Sequence, residues 1–281
     1  MDNTDQTTYW NEGAGAKWVA NQARLDRLFA PLTQALVAAA APRPGEHVLD
    51  IGCGCGDVSL ATAALVGPTG HVRGVDISRP MLERARARQT VEGRGLALDW
   101  LEADAMTYAF EPTADLLISR FGVMFFADPL AAFGNLRRGL KPGGRFAFLC
   151  WRRRESVEWM QWPLDQVAHV IPLPPSTLGA PGPFGLADEA ATTRLLTQAG
   201  FSDVTADPVE AALTVGEGSD PVDDALGLLL QTGPFASVFN EAEDSARAQA
   251  KPLLRRAFEA KVQNDAVRLG GACWLYRGVA R

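Results

Sequence analysis

Ten residues set the frame of this chain: Val48-Leu49-Asp50-Ile51-Gly52-Cys53-Gly54-Cys55-Gly56-Asp57. A short apolar run leads into three glycines on alternate positions, and Val58, Leu60, Ala61, Ala64 and Leu65 follow in a helix-like pattern. Such a run reads as a buried strand that ends in a turn and hands over to a helix. The glycines let backbone press against a ligand with no Cβ in the way. The helix start adds unpaired N–H groups and the positive end of a dipole. A site of nucleotide type is therefore expected at the mouth of this strand.

From His47 onward the pattern alternates strand and helix, which implies parallel strands joined by crossover helices. His71 to Val75 reads as a second strand ending at Asp76, after which Ser78 and Pro80 open a helix. Leu96 to Leu101 reads as a third strand, Asp115 to Ser119 as a fourth ending at Arg120, and Arg145 to Trp151 as a fifth. Lys141-Pro142-Gly143-Gly144 marks the turn before the fifth. Asp128 and Asp188 sit where caps of further helices belong. A strand is expected near Val204 to Val215, helices around Val222 to Gln231 and Glu241 to Ala260, and a closing strand over Cys273 to Val279.

Two segments stand outside this rhythm. Tyr9 to Ala41 carries two helical patterns, with Pro31 fitting the first turn of the second, so residues 1–44 are expected to form a helical lid. Tyr9 and Trp10 precede any pattern and are bulky for a loose terminus. Residues 152–187 hold six prolines in 36 positions together with Trp159 and Trp162. That is too apolar for a free linker. A cap inserted between two parts of the core, residues 45–151 and 188–281, is the expected organisation.

Composition excludes some classes. A net charge of −6 argues against a nucleic-acid partner, and the run Arg152-Arg153-Arg154 reads as a solvated face. No apolar stretch approaches the roughly 20 residues of a membrane span, and the first residues, acidic and polar, do not resemble a signal peptide. Cys53 and Cys55 are separated by a single residue, which is not zinc spacing, so no metal site is expected. These two, with Cys150 and Cys273, read as packing residues in a reducing cytoplasm.

A dinucleotide fingerprint would need a third glycine where Asp57 stands. Asp76, 20 positions after Gly56, is placed at a strand end to accept both hydroxyls of a ribose. Asp104, past the third strand, is placed a step further along for the exocyclic amine of an adenine, with Ile77, Met81 and Ala105 able to sandwich the ring.

Val48–Gly56, Gly74–Ser78, Glu102–Ala105, Asp115–Phe121 and Leu140–Phe148 together resemble the class I S-adenosylmethionine-dependent methyltransferases, in the branch of the ubiquinone/menaquinone C-methyltransferases. The resemblance covers roughly residues 45–151. It implies an α/β, Rossmann-like, seven-stranded and mostly parallel sheet with an antiparallel last strand, and S-adenosyl-L-methionine as cofactor. Carried over by position, Asp50, Gly52, Gly54 and Gly56 would hold the aminoacyl end of the cofactor. Asp76 would bind the ribose, Ile77, Met81 and Ala105 the adenine ring, and Asp104 its amine, while Arg120 would lie beside the methyl donor. Where amide-methylating branches carry Asn-Pro-Pro-aromatic, this chain reads Ser119-Arg120-Phe121-Gly122.

The expected activity is methyl transfer to a small hydrophobic or aromatic molecule, with carbon, oxygen and nitrogen acceptors all open and the oligomeric state unassigned. A nicotinamide-dependent oxidoreductase and a non-catalytic cofactor-fold binding protein are the rival readings. Tyr9, Trp10 and Phe121 are candidate faces for a sulfonium. His47 and His71 begin their strands, at the edge of the sheet opposite the ligand, which leaves His169 as the candidate general base. Arg120 stays protonated and is suited to an anionic group.

Overall fold

The computed structural model describes residues 3–172 and 179–280. Three helices come first: α1 (Thr4–Glu12), α2 (Ala14–Ala20) and α3 (Gln22–Ala40). The alternating body follows as β1 (His47–Ile51), α4 (Asp57–Val66), β2 (His71–Asp76), α5 (Arg79–Val91), β3 (Leu98–Glu102), β4 (Ala114–Arg120), α6 (Pro129–Arg138) and β5 (Leu140–Trp151). Then come α7 (Glu158–Val167), α8 (Glu189–Gln198), β6 (Phe201–Glu217), α9 (Pro221–Leu229), α10 (Gly233–Glu241), α11 (Asp244–Glu259), β7 (Val262–Gln263) and β8 (Ala266–Ala280).

The sheet runs β3-β2-β1-β4-β5-β8-β6. β3, β2, β1, β4 and β5 are parallel, and β8 is antiparallel to both β5 and β6. This is the expected mostly parallel sheet with its antiparallel last strand, plus the two-residue β7 as a hairpin partner of β8. Strand order reverses between β1 and β4, and a crevice outside the carboxyl ends of strands at such a point is where ligands bind in open α/β sheets. Register brings those ends level: Ile51 pairs with Val75, and Asp76 with Glu102.

Several local expectations change. Pro31 starts no helix; it lies inside α3, which is continuous. Leu25, Leu28, Phe29, Leu32, Leu36 and Ala40 form a buried stripe along it, and that burial outweighs the one backbone bond proline removes. Tyr9 and Trp10 do belong to a helix, although α1 buries none of its own residues. Ser78 stands at the start of α5 but makes no side-chain cap; its hydroxyl donates to the Trp10 carbonyl (2.8 Å), and Arg79 N donates to Asn11 Oδ1 (3.0 Å). The Lys141–Gly144 turn is absorbed into β5, where Leu140 pairs with Ala114 and Arg145 next pairs with Leu116. Asp128 and Asp188 cap α6 and α8 by accepting from Ala131 N and Ala191 N.

Of residues 152–187, the stretch 173–178 lies outside the described residues. The rest includes α7, which is helical despite Pro163 and buries Trp159, Met160 and Leu164. Among the described residues no helix is long and apolar enough to cross a membrane.

Candidate active site

The turn after β1 is tied to its neighbour before any ligand is considered. Gly52 N and Cys53 N both donate to the Val75 carbonyl (2.8 and 3.1 Å). Gly52 and Gly54 adopt φ of +66° and +55°, a region only glycine enters without cost. Gly54 N then donates to Asp76 Oδ2 (2.7 Å), and Ser78 N to Asp76 Oδ1 (2.8 Å). One carboxylate thus joins the β1 turn to the start of α5. Each of its oxygens keeps a lone pair for a further donor. Burial pushes the Asp76 carboxyl upward, while its bonds to backbone N–H groups hold it down.

A cavity of about 180 Å³ opens over these strand ends, against the roughly 15 Å³ one water needs. Asp50, Gly52, Gly54, Asp76, Ile77, Met81, Asp104, Ala105 and Arg120 all line it. Gly56 and His169 do not. At Gly56 an added Cβ would meet the Trp100 ring at 2.5 Å; this glycine lets a β3 side chain pack under the turn. His169 is exposed beyond α7, so the base role has no geometric support. Tyr9 is 53% exposed and turned outward, whereas Trp10 and Phe121 face the cavity.

The sequence reading missed what α3 contributes. Arg120 pairs with Asp57 at 2.5 Å, bonds the Thr33 hydroxyl and lies 5.4 Å from the centre of the Phe29 ring. Phe121 has φ +70°, unusual for a bulky residue, and stacks on Trp151 at 4.2 Å with 12° between planes. Trp10 meets Phe125 edge-on at 5.3 Å. Trp18, Phe29 and Trp159 extend this wall. Asp57 was legible only as a missing glycine, and the aromatic wall is assembled from distant segments.

Among the described residues the lining holds no histidine, lysine or tyrosine. Burial pushes the Cys55 thiol up to about 12 and Cys53 well above its ordinary value, so neither is a thiolate nucleophile. The remaining proton acceptors are the carboxylates.

Asp50 is 1% exposed and receives the Ser59 hydroxyl at 2.5 Å. Burial pushes its carboxyl up to about 7, opposed by Ser59 and by the Arg120 charge. An acid whose folded value lies above its unfolded value of about 3.9 loses stability as pH rises from about 4 to 7, then levels off. Between pH 5 and 8 this group removes on the order of 2–3 kcal/mol. Urea unfolding at those two pH values checks it: Asp50→Asn flattens the dependence by about that amount, and an unchanged slope contradicts it.

The geometry suits an adenosine with a charged tail. Backbone approaches at Gly52 and Gly54, acids stand at the ends of β1 and β2 and just beyond β3, and apolar side chains lie between them. Two buried acceptors in the cavity wall, Asn3 Oδ1 and Gln6 Oε1, have no hydrogen-bond partner.

A sequence model described as the ubiE/COQ5 methyltransferase family matches residues 29–178. A 2-phytyl-1,4-naphtoquinone methyltransferase of Trichormus variabilis is 35% identical over 135 residues, 47% of this chain and 58% of that protein. The ubiquinone/menaquinone biosynthesis C-methyltransferase UbiE of a Ruegeria species is 39% identical over 110 residues, 39% of this chain and 44% of that one. The chain thus spans about half the length of the curated relatives it matches. Among solved structures, a Haemonchus contortus phosphoethanolamine N-methyltransferase 2 in complex with S-adenosyl-L-methionine superposes with a TM-score of 0.52 at 18% identity, over 89% of this chain and 52% of that chain. That likeness concerns the fold.

Proposed function

The chain belongs to the ubiE/COQ5 methyltransferase family, and from that premise we propose that it transfers a methyl group from S-adenosyl-L-methionine to a small, hydrophobic and aromatic acceptor. One observation carries the reading. The glycine turn, Asp76 and Asp104 stand at three neighbouring strand ends and line a single cavity. Family membership also disfavours the nicotinamide reading, as does Asp57 in place of the third glycine.

When bound, the cofactor supplies a methyl group on a sulfonium whose leaving group is a neutral thioether. The chain's own residues supply placement and dryness. Asp76 takes the ribose hydroxyls, and Ile77, Met81 and Ala105 flank the adenine. Asp104 accepts from the amine. Gly52, Gly54, Asp50 and the Asp57–Arg120 pair line the part of the cavity that would hold the aminoacyl tail. Phe121, Trp151 and Trp159 shape the acceptor side with flat apolar faces.

With carboxylates as the only proton acceptors in the described lining, a quinol or phenol acceptor would pass its proton to one of them. α1 would act as a lid over the cavity, and α7 with Pro183 as a cap on its acceptor side. Four unpaired, buried cysteines suit a cytoplasmic setting. Incubation with methyl-labelled donor and a panel of quinols and hydroxylated aromatics tests the proposal. Label in a methylated aromatic product is expected; no label in any product, with no binding of the donor, overturns it.

A further inference from the structure

α1 has no buried apolar stripe, although its Trp10 ring packs on Phe125 and Trp18, and polar contacts fasten it over the ends of β2 and β3. Asn11 Nδ2 donates to the Ile77 carbonyl (3.0 Å) and Asn11 Oδ1 accepts from Arg79 N (3.0 Å), so one side chain bridges the helix to the β2–α5 turn. The Trp10 carbonyl accepts from the Ser78 hydroxyl. Just before the helix, Asn3 Nδ2 donates to Asp104 Oδ1 (3.3 Å), the oxygen that also accepts from Met106 N (2.9 Å).

These contacts leave two polar atoms stranded. Asn3 Oδ1 and Gln6 Oε1 are buried without partners, and both side chains line the cavity. A buried acceptor left unpaired costs about 1–3 kcal/mol, and these two lie three residues apart, on neighbouring turns of one helical face. Turning the Asn3 amide round brings no relief, because its oxygen would then face the Asp104 carboxylate, which can only accept. A donor on a ligand in the cavity would satisfy both oxygens.

We propose that Asn3 and Gln6, with Asp104, form an all-acceptor rim that takes the 6-amino group of the cofactor's adenine and selects a 6-amino over a 6-oxo purine. This rests on the reading of the cavity as an S-adenosylmethionine site. An amine offers two hydrogens to such a rim, whereas an oxo group sets oxygen against oxygen. The N-terminal helix is then part of the nucleoside site as well as its cover.

Titration calorimetry with S-adenosylhomocysteine and with S-inosylhomocysteine, which differ at the purine 6-position, tests the rim. The wild type is expected to prefer the adenosyl ligand by at least about a hundredfold. Asn3→Leu and Gln6→Leu are each expected to weaken the adenosyl ligand about tenfold and to tighten the inosyl ligand, because each removes an oxygen that opposes the 6-oxo group. Retained binding of the inosyl ligand also shows the variants to be folded. Equal weakening of both ligands would assign these residues to helix docking and overturn the proposal, as would unchanged binding of the adenosyl ligand. A wild type that binds neither ligand overturns the cofactor reading itself, and is recognised before any variant is compared.

Discussion

Asp76→Ala is expected to weaken S-adenosylhomocysteine binding at least a hundredfold. Hydrogen bonds to an ionised acceptor contribute about 1.5–3 kcal/mol each. Two ribose hydroxyls on this carboxylate therefore amount to roughly 3–6 kcal/mol, or about two to four powers of ten in affinity. The same substitution strips the acceptor from Gly54 N and Ser78 N, each a group whose burial unpaired costs about 1–3 kcal/mol. Stability should fall with affinity, by about 2–4 kcal/mol in urea unfolding. Calorimetry on the folded variant separates the two effects. Undiminished affinity would remove the ribose from this carboxylate.

The second large effect lies at a glycine the cofactor need not touch. A Cβ at Gly122 would sit 2.5 Å from the Ile51 carbonyl oxygen and 2.6 Å from Gly52 Cα. Both obstacles are backbone, so the β1 and β4 turns would have to part. Gly122→Ala is expected to cost about 3 kcal/mol. Gly54→Ala provides the contrast, since its Cβ would meet the flexible end of Met81 at 2.8 Å. Its left-handed backbone adds about 1–2 kcal/mol of strain, and its main effect should be on ligand affinity. Urea unfolding of the two variants should rank Gly122→Ala as the more destabilised. The reverse order would mean that the two turns are not in close contact.

The ends of β1 to β4 were legible because each is announced locally: an apolar run, then glycine, acid or arginine where the strand stops. The alternation implied parallel strands with crossover helices, whereas the antiparallel last strand came only from the family resemblance. Gly56 misled because three evenly spaced glycines look equivalent, although Gly56 is reserved for Trp100, a residue 44 positions away. Pro31 misled for a similar reason, since local propensity marks a helix start and only tertiary burial of the α3 stripe overrides it. His169 was chosen by elimination among histidines, and elimination carries no geometry. Asn264 and Asp265, both at positive φ, form the two-residue turn into β8; that hairpin was written in the sequence and the strand was started seven residues too late. Asn3 and Gln6 gave no signal, because α1 is positioned by hydrogen bonds to β2 and α5 rather than by an apolar stripe.

A crystal structure with S-adenosylhomocysteine is the most direct measurement. The ribose hydroxyls should lie on Asp76, the adenine between Ile77, Met81 and Ala105 with its amine at Asp104, and the aminoacyl tail along Gly52 and Gly54. Density for the ligand anywhere else, or an adenosine turned away from Asp76 and Asp104, would contradict the assignment of these strand ends to a methyl donor.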